Sequence, residues 1–280
     1  VARPDVDPIN RALRKVLPEK AAYAITRRKN IVLGQLFYKK TRTDPGKVRE
    51  QLLGLARKEI GDEAVDAHFT PEYDPWDQRL CLIPNGDLYD ALNAETASVV
   101  TGTIDRITET GVRMTSGDEV EADIIVTATG LQLVTIGDMD FTVDGEPVDF
   151  ADTWTYKGLA YSGVPNLVSS FGYINASWTR RADITCGYVC RVLNHLRDTG
   201  TDIAVPTLRP SDRDMPERPF IDDFSSGYMQ RMMPMLPRQG DRAPWINPQM
   251  YGADKKLIEK GPVDDGVMRF SRARARVGVG

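Results

Sequence analysis

The sequence contains few of the residues that bind metals or crosslink secreted domains. Its 280 residues include three cysteines and two histidines, and none of them stands at a zinc-ligand spacing. An odd number of cysteines without dense spacing argues against a disulfide scaffold. Cys186 and Cys190 lie four residues apart in a helical stretch, which places them on one side of a helix. We interpret both as core residues.

Long apolar runs and concentrated positive charge are also missing. No run approaches the roughly 18 apolar residues that a membrane-spanning helix requires, and no signal-peptide pattern is visible. The net charge is −4, with acids and bases interspersed, so we predict that nucleic acid is not a partner. Because the chain opens at Val1 instead of Met, we expect a cytoplasmic protein that lacks an N-terminal segment.

A third absence is that of a glycine-rich phosphate loop. No G-x-G-x-x-G motif follows a strand anywhere in the sequence. Dinucleotide pyrophosphates are usually held by backbone N–H groups of such a loop. We therefore expect the chain alone to bind a dinucleotide cofactor poorly.

The first quarter of the chain has the periodicity and the stop signals of helices. Asp7-Pro8 predicts a helix start, Pro18 precedes a basic amphipathic helix over Glu19 to Tyr38, and a third helix is predicted from Pro45 to Ile60. The basic helix is open to two interpretations. It presents a solvated face, or it forms an electropositive wall near a cofactor phosphate.

Farther along the chain, the spacing of the apolar residues changes to the period of two that is typical of strands. Short strands are predicted over Ser98–Val100, Gly102–Thr108 and Gly111–Met114. Continuous apolar runs at Ile124–Val126 and Leu167–Phe171 predict two strands buried on both faces. We expect those two to pair in an incomplete sheet with an exposed apolar edge, in a chain of the α/β class.

Two segments have the composition of ligand-binding turns. Thr129 and Gly130 follow the first buried strand, and small residues there allow close backbone approach to a ligand. A glycine turn follows the second, and the next helix opens near Ser177, where free N–H groups suit an electron-rich carbonyl edge. The alternatives are a tight turn between core strands, and capping of the helix by Ser177 or Asn175.

The order of several motifs resembles flavin-containing and Baeyer–Villiger monooxygenases, nearest to their ethionamide-activating branch. Asp123–Gly130 (DIIVTATG) is similar to the family's late strand, and Tyr73–Arg79 (YDPWDQR) resembles the loop with its active-site arginine. Val164–Trp178 resembles the strand, turn and helix that close the flavin site. Leu236–Trp245 and Gly261–Gly266 are similar to the tail of that branch.

This resemblance implies part of a two-dinucleotide, Rossmann-like fold with a helical insert and an irregular C-terminal extension. Residues 1–120 would be the remainder of the NADPH domain with the insert, 121–204 the C-terminal part of the FAD domain, and 205–280 a wrapping extension. It implies FAD and NADPH as cofactors, O2 as co-substrate, and a small ketone or sulfur compound as substrate.

The resemblance also implies roles for particular residues. Arg79 would stabilise the negative charge that develops during oxygenation, since arginine stays cationic and offers a rigid donor fork. The alternative is a structural ion pair with Asp74 or Asp77. The residues expected to contact the cofactor are Thr129, Gly130, Asn175, Ala176, Ser177 and Trp178. Two other functions stay open at this point: a non-oxygenating flavin reductase, and an inactive or partner-dependent truncated chain.

Overall fold

The computed structural model describes residues 2–222 and 224–273. The chain forms two compact units, residues 1–130 and residues 131–280. These units do not coincide with the three segments expected from the sequence, because residues beyond 205 belong to the same unit as residues 131–204. The assignment of the three segments to NADPH and FAD domains stays a prediction.

The first unit begins with helices that start and stop at the predicted signals. The Asp7 side chain accepts hydrogen bonds from the N–H groups of Ile9 and Asn10. Asp44 caps the third helix, and Gly61 ends it at φ 82°, in the left-handed region that favours glycine. The three predicted helices are thus confirmed, except that the basic helix runs to Thr43 and not to Tyr38. The helices of this unit are α1 (Pro8–Leu13), α2 (Glu19–Thr43), α3 (Pro45–Ile60), α4 (Asp62–His68) and α5 (Asp87–Asn93).

The apolar side chains of these helices are divided between a small core and the surface. Leu53 and Ala56 of α3 pack with Val65 and Tyr89 in one buried cluster. The basic helix α2 contributes little to a core, because its buried residues are Ala22, Thr26 and Thr41. The exposure of α2 favours its interpretation as a helix with a solvated face.

Short strands complete the first unit: β1 (Ala2–Arg3), β2 (Ile83–Pro84), β3 (Ile104–Ile107), β4 (Gly111–Met114) and β5 (Glu119–Glu121). β1 pairs with β2 in parallel, and β3, β4 and β5 form an antiparallel meander. Residues 108–110 and 115–118 connect the meander strands. The strand predicted at Ser98–Val100 is wrong, since residues 97–100 have no regular structure.

The two buried strands expected at Ile124–Val126 and Leu167–Phe171 are also wrong. Neither segment forms a strand, and Ile124 and Val126 are 82% and 84% exposed. A strand exists only when a neighbouring strand takes up its backbone hydrogen bonds. Within the described residues neither segment has such a neighbour. Ile124 and Val126 are exposed on irregular chain, whereas Leu167, Val168 and Phe171 are partly buried against neighbouring clusters, so the exposed sheet edge that we expected is not formed.

The second unit is built around one long helix, α6 (Trp178–Thr199), which ends at Gly200 with φ 63°. Two short helices follow, α7 (Gly227–Met232) and α8 (Tyr251–Asp254), the latter continuing as a π-helical turn over Lys255–Glu259. The strands are β6 (Thr142–Val143), β7 (Glu146–Pro147), β8 (Thr155–Tyr156), β9 (Ala160–Tyr161), β10 (Ile203–Pro206) and β11 (Met268–Ser271). They pair as three two-stranded antiparallel ribbons.

The C-terminal segment supplies much of the core of this unit. Trp245, Ile258 and Val267 are fully buried and belong to one cluster with Tyr156 and Tyr188. A wrapping extension therefore completes a core that α6 and the β8–β9 hairpin leave open.

The cysteines do not belong to that core. Cys186 and Cys190 are both free thiols on the exposed side of α6, so the interpretation of them as core residues is wrong. In the described part of the chain, no helix has the length and hydropathy to cross a membrane.

Candidate functional site

Arg79 lies in the loop between α4 and β2, which arginines of neighbouring helices hold in place. Arg49 of α3 donates a hydrogen bond to the carbonyl oxygen of Pro71. Arg42 of α2 forms an ion pair with Asp77, with 2.7 Å between Nη2 and Oδ1. Because a guanidinium fixes the direction as well as the distance of its acceptors, these contacts order a loop that has neither helix nor strand.

A tight turn directly precedes Arg79. The N–H of Asp77 donates to the carbonyl of Asp74 at 3.0 Å, and Trp76 between them has φ 72°. A positive φ is uncommon for a bulky residue and persists only where the surroundings enforce it. The Trp76 ring packs edge-on against Tyr38, with 6.1 Å between centroids. Its indole nitrogen is enclosed without a hydrogen-bond partner in the described part of the chain.

The guanidinium of Arg79 does not hold the fold together through an ion pair with another described residue. Arg79 is exposed and forms no ion pair with any residue of the ranges 2–222 and 224–273. The nearest sequence candidate, Asp77, is paired with Arg42 instead. The structural ion pair weighed as an alternative for Arg79 is therefore not formed.

A cavity of about 360 Å³ opens beside Arg79. Leu53, Ala56 and Phe69 contribute to its apolar wall, and Trp76 and Arg79 are also among the lining residues. Such a combination of apolar walls with few polar groups is typical of small-molecule sites. The first unit thus contains both a cavity and, beside it, a cation that forms no ion pair with the residues that the structure describes.

Thr129 and Gly130 lie at the end of the first unit. Both are exposed and outside any helix or strand, and Gly130 has φ 109°. The strand that would have positioned them is not formed, so these two residues lie on exposed irregular chain. Their cofactor role stays a prediction.

The other predicted cofactor residues surround the N-terminus of α6. Ser177 is the N-cap residue with φ −64° and ψ 132°, but its side chain accepts no hydrogen bond from the helix. Its Oγ lies 2.8 Å from Oγ1 of Thr179 instead. The Asn175 amide donates to the carbonyl of Gln249 at 3.1 Å. Capping by Ser177 or Asn175 is therefore wrong, and the first turn of the helix carries no side-chain cap.

Trp178 closes this turn by packing on a glycine. A Cβ placed on Gly172 would lie 2.1 Å from Cγ of Trp178, so the indole lies directly on the Gly172 backbone. The ring also packs against Phe171, with 5.3 Å between centroids. About half of Trp178 remains exposed. The glycine at position 172 therefore leaves the space that the Trp178 ring of α6 occupies.

Gln249 holds the same turn from the C-terminal segment. Its Oε1 accepts from the N–H of Ile174 at 3.1 Å, and its Nε2 donates to the carbonyl of Gly172 at 3.3 Å. Gln249 is buried. Sequence reasoning missed it, because no local signal connects a residue in an irregular segment with a turn 75 positions earlier.

Beneath the turn, Arg181 and Asp254 form an ion pair that is fully buried. Arg181 also donates to the carbonyl of Lys157 at 2.8 Å and lies over the ring of Tyr173. Burial raises the pKa of Asp254, while the charge of Arg181 opposes that rise. Arg181 could have been found from the sequence, because it stands on the buried stripe of α6 with Ile184, Thr185, Tyr188 and Val192.

The predicted site residues are thus distributed over both units. Arg79, Thr129 and Gly130 belong to the first unit, and Asn175, Ala176, Ser177 and Trp178 belong to the second. Within the second unit the four residues are contiguous around one helix terminus. Within the first, Arg79 lies in an anchored loop and Thr129 and Gly130 in irregular chain.

The chain is similar to several bacterial flavoprotein monooxygenases. The FAD-containing monooxygenase EthA of Mycobacterium tuberculosis is 45% identical over 280 residues, which are 100% of this chain and 57% of that protein. The probable FAD-binding monooxygenase AlmA of Acinetobacter baylyi is 39% identical over 269 residues, 96% of this chain and 54% of that protein. The chain thus spans a little over half the length of these relatives. No protein-family profile matches it.

Solved structures show the same fold in more distant proteins. An oxidised steroid monooxygenase bound to NADP matches with a TM-score of 0.63 at 18% identity, over 97% of this chain and 53% of that one. OTEMO in complex with FAD and NADP matches with a TM-score of 0.59 at 16% identity, over 81% of this chain and 45% of that one. At such identities the likeness concerns the fold alone.

Proposed function

Because the chain belongs to the family of FAD-containing monooxygenases and corresponds to the C-terminal part of its members, we propose that it provides the oxygenation half of an FAD- and NADPH-dependent monooxygenase. The two-dinucleotide, Rossmann-like plan, the Baeyer–Villiger or S-oxygenating activity and the cytoplasmic location are parts of this proposal. The observation that carries it is an exposed Arg79, without an ion pair in the described part of the chain, beside an apolar cavity and in a loop that the family resemblance singles out.

The residues around α6 fit one edge of the flavin ring. The first turn of α6 has no side-chain cap, and a helix N-terminus presents free N–H groups and partial positive charge. These groups would donate to a carbonyl edge that becomes electron-rich on reduction. Trp178, Ser177, Ala176 and Asn175 would shield that edge. Thr129 and Gly130 would approach the cofactor through their backbone.

Nothing in this sequence fits the pyrophosphate of FAD or NADPH, because the glycine loop that would hold it is missing. We therefore expect the 280-residue chain to bind FAD weakly or not at all. The proposal assigns the pyrophosphate to an additional N-terminal segment of the kind that the relatives possess.

When bound, FAD supplies hydride acceptance from NADPH and activation of O2. The overall reaction converts substrate, O2, NADPH and a proton into oxygenated substrate, NADP⁺ and water. The part of this chain is to bind the substrate, to exclude water and to place a permanent cation. The guanidinium of Arg79 would stabilise negative charge on oxygen as the new bond to the ketone carbon or the sulfur forms.

A reductase on the same plan fits these residues less well. A disulfide reductase uses a Cys-x-x-Cys pair, whereas Cys186 and Cys190 are separated by three residues and are free. A reductase also has no need for an unpaired arginine in a tryptophan-containing loop.

The proposal is tested in a fusion of this chain behind the N-terminal part of the Mycobacterium tuberculosis relative that it does not match. We expect the fusion to bind FAD, to oxidise NADPH and to oxygenate a ketone or thioether. Arg79→Ala should reduce oxygenation about 10²–10³-fold, as loss of one preorganised donor does elsewhere. NADPH-driven flavin reduction should persist, with hydrogen peroxide as the product.

Arg28→Ala is the matched control, because Arg28 is an exposed cation of α2 outside the cavity lining. It should leave coupled oxygenation unchanged. Arg79→Lys should rescue little, since lysine keeps the charge but loses the planar fork. Coupled oxygenation by Arg79→Ala would refute the role of Arg79. A fusion that reduces flavin but never oxygenates would favour the reductase.

A further inference from the structure

Gln249 binds the backbone of the turn before α6 in the way that a neighbouring strand would. Its side-chain Oε1 accepts from the N–H of Ile174 at 3.1 Å, and its Nε2 donates to the carbonyl of Gly172 at 3.3 Å. One side-chain amide therefore satisfies a donor and an acceptor two residues apart, as the backbone of a paired strand does. This pairing holds residues 172–174, with which no strand of the described chain pairs.

The side chain of Gln249 is itself fixed by the C-terminal segment. Its backbone has φ 52°, which is uncommon for a residue other than glycine and persists only where contacts enforce it. Its Nε2 also donates to Oδ1 of Asn247 at 3.2 Å, and its carbonyl accepts from the amide of Asn175 at 3.1 Å. Asn247 is fixed in turn, since its Nδ2 donates to the carbonyl of Phe220 at 3.0 Å. The buried amides of Asn247 and Gln249 thus connect the turn with the C-terminal segment.

The turn that Gln249 holds leads directly into the start of α6. Ser177 begins this helix without a side-chain cap, and an uncapped helix start presents its first backbone N–H groups to a ligand. The position of these groups depends on residues 172–174, which Trp178 and Gln249 contact. Because a hydrogen bond weakens steeply when it is misaligned, the two bonds from Gln249 fix the direction of this backbone as well as its distance.

We propose that Gln249 is a positioning residue of the flavin site, whose amide holds residues 172–174 so that the first N–H groups of α6 meet the carbonyl edge of the flavin ring. This inference rests on the proposed function and extends it to a residue of the C-terminal segment. The carbonyl edge becomes electron-rich on reduction, and hydrogen bonds to a charged acceptor are stronger than those to a neutral one. A turn that is held in place therefore stabilises reduced flavin more than oxidised flavin, and a loosened turn lowers the reduction potential.

Gln249→Met tests the amide in the 280-residue chain, because methionine keeps the length of the side chain and loses both hydrogen-bonding groups. Hydrogen exchange of the Ile174 amide is followed by NMR relative to that of Tyr188 in the middle of α6. We expect Gln249→Met to accelerate the exchange of Ile174 about fivefold, since one hydrogen bond is lost. The matched control is Gln239→Met, at a buried glutamine of the same segment whose Nε2 donates to the carbonyl of Pro219. It should leave this ratio unchanged.

The reduction potential of FAD in the fusion described above connects the contact with the cofactor. We expect Gln249→Met to shift the equilibrium with a reference dye about tenfold toward oxidised flavin, which is about 30 mV for a two-electron couple. Gln239→Met should leave the potential unchanged. Gln249→Asn is a second variant with less risk to folding, because asparagine tolerates a positive φ. Its amide is one methylene too short to reach Ile174, so it should lower the potential as well.

Several results would overturn the proposal. They are an exchange rate of Ile174 that Gln249→Met leaves unchanged, a potential that neither Gln249→Met nor Gln249→Asn lowers, and an equal shift of the potential in Gln239→Met. Coupled oxygenation by the fusion with an unchanged potential in both Gln249 variants refutes this inference alone. A fusion that reduces flavin but never oxygenates refutes the proposed function, whereas a lowered potential of its Gln249→Met variant still supports the positioning role. A fusion without bound FAD would overturn both.

Discussion

Replacing Gly172 by alanine tests how the turn before α6 is packed. The new Cβ would lie 2.1 Å from Cγ of Trp178 and 2.2 Å from its Cδ2, whereas carbon atoms in contact are about 3.5–4.0 Å apart. The indole must therefore move by roughly 1.5 Å or more. Since Trp178 is 49% exposed, the ring can swing outward without displacing the backbone.

The energetic cost of Gly172→Ala arises from the contacts that the Trp178 ring loses when it moves. Its packing with Phe171 is of the kind that contributes about 0.5–1.5 kcal/mol, and forced repacking of a full site costs about 1–3 kcal/mol. Because the ring has an outward path, we expect Gly172→Ala to lower the free energy of unfolding by about 1–2 kcal/mol. Urea denaturation followed by far-UV circular dichroism measures this value.

The decisive comparison is the double-mutant cycle. In a Trp178→Ala background the steric conflict is gone, so Gly172→Ala should cost less than about 0.5 kcal/mol there. Gly187→Ala serves as the matched control, since nothing lies within 4 Å of the Cβ it would add inside α6, and it should stabilise the helix by about 0.5–1 kcal/mol. An equal cost of Gly172→Ala in both backgrounds would refute the steric explanation.

Two further predictions concern groups that the structure places in strong electrostatic environments. Hydrogen bonds lower the pKa of Glu119 from 4.5 to about 2, and the bond from Thr108 contributes most. The stabilisation of the fold by the ionised Glu119 is therefore fully present above pH 4.5. It is lost as the pH falls through the folded pKa. A carboxyl ¹³C titration should give this value and show a rise in Thr108→Val; a midpoint near 4.5 in the parent would contradict the geometry. Asp254→Asn leaves the buried charge of Arg181 uncompensated and should destabilise the second unit by about 3–5 kcal/mol, whereas replacing Asp254 and Arg181 together by leucine and methionine should cost clearly less, as measured by urea denaturation.

The sequence predicted those parts of the fold whose signals are local. Asp7 and Pro45 mark helix starts in the structure as they do in the sequence, and the third helix ends at Ile60 as predicted, because a cap acts on backbone groups within a few residues. The family resemblance depended likewise on short motifs in a fixed order. It located Arg79 and the α6 terminus without any knowledge of their surroundings.

Local signals did not predict the structure of Ile124–Val126 and Leu167–Phe171, which were expected to be strands. Their apolar runs indicate a capacity for burial, but a strand requires hydrogen bonds from a neighbour that the segment itself cannot supply. No described segment of this chain supplies them, so both remain irregular.

The sequence by itself therefore predicted the first helices, the resemblance to FAD-containing monooxygenases and the identity of the candidate cation. Only the tertiary structure decided that Arg79 has no ion pair among the described residues, that a cavity opens beside it, and that Gln249 and Asp254 support the turn before α6. The physical reason is that helix caps and turns depend on neighbours in the chain, whereas partner choice, cavity shape and desolvation depend on residues that only folding brings together.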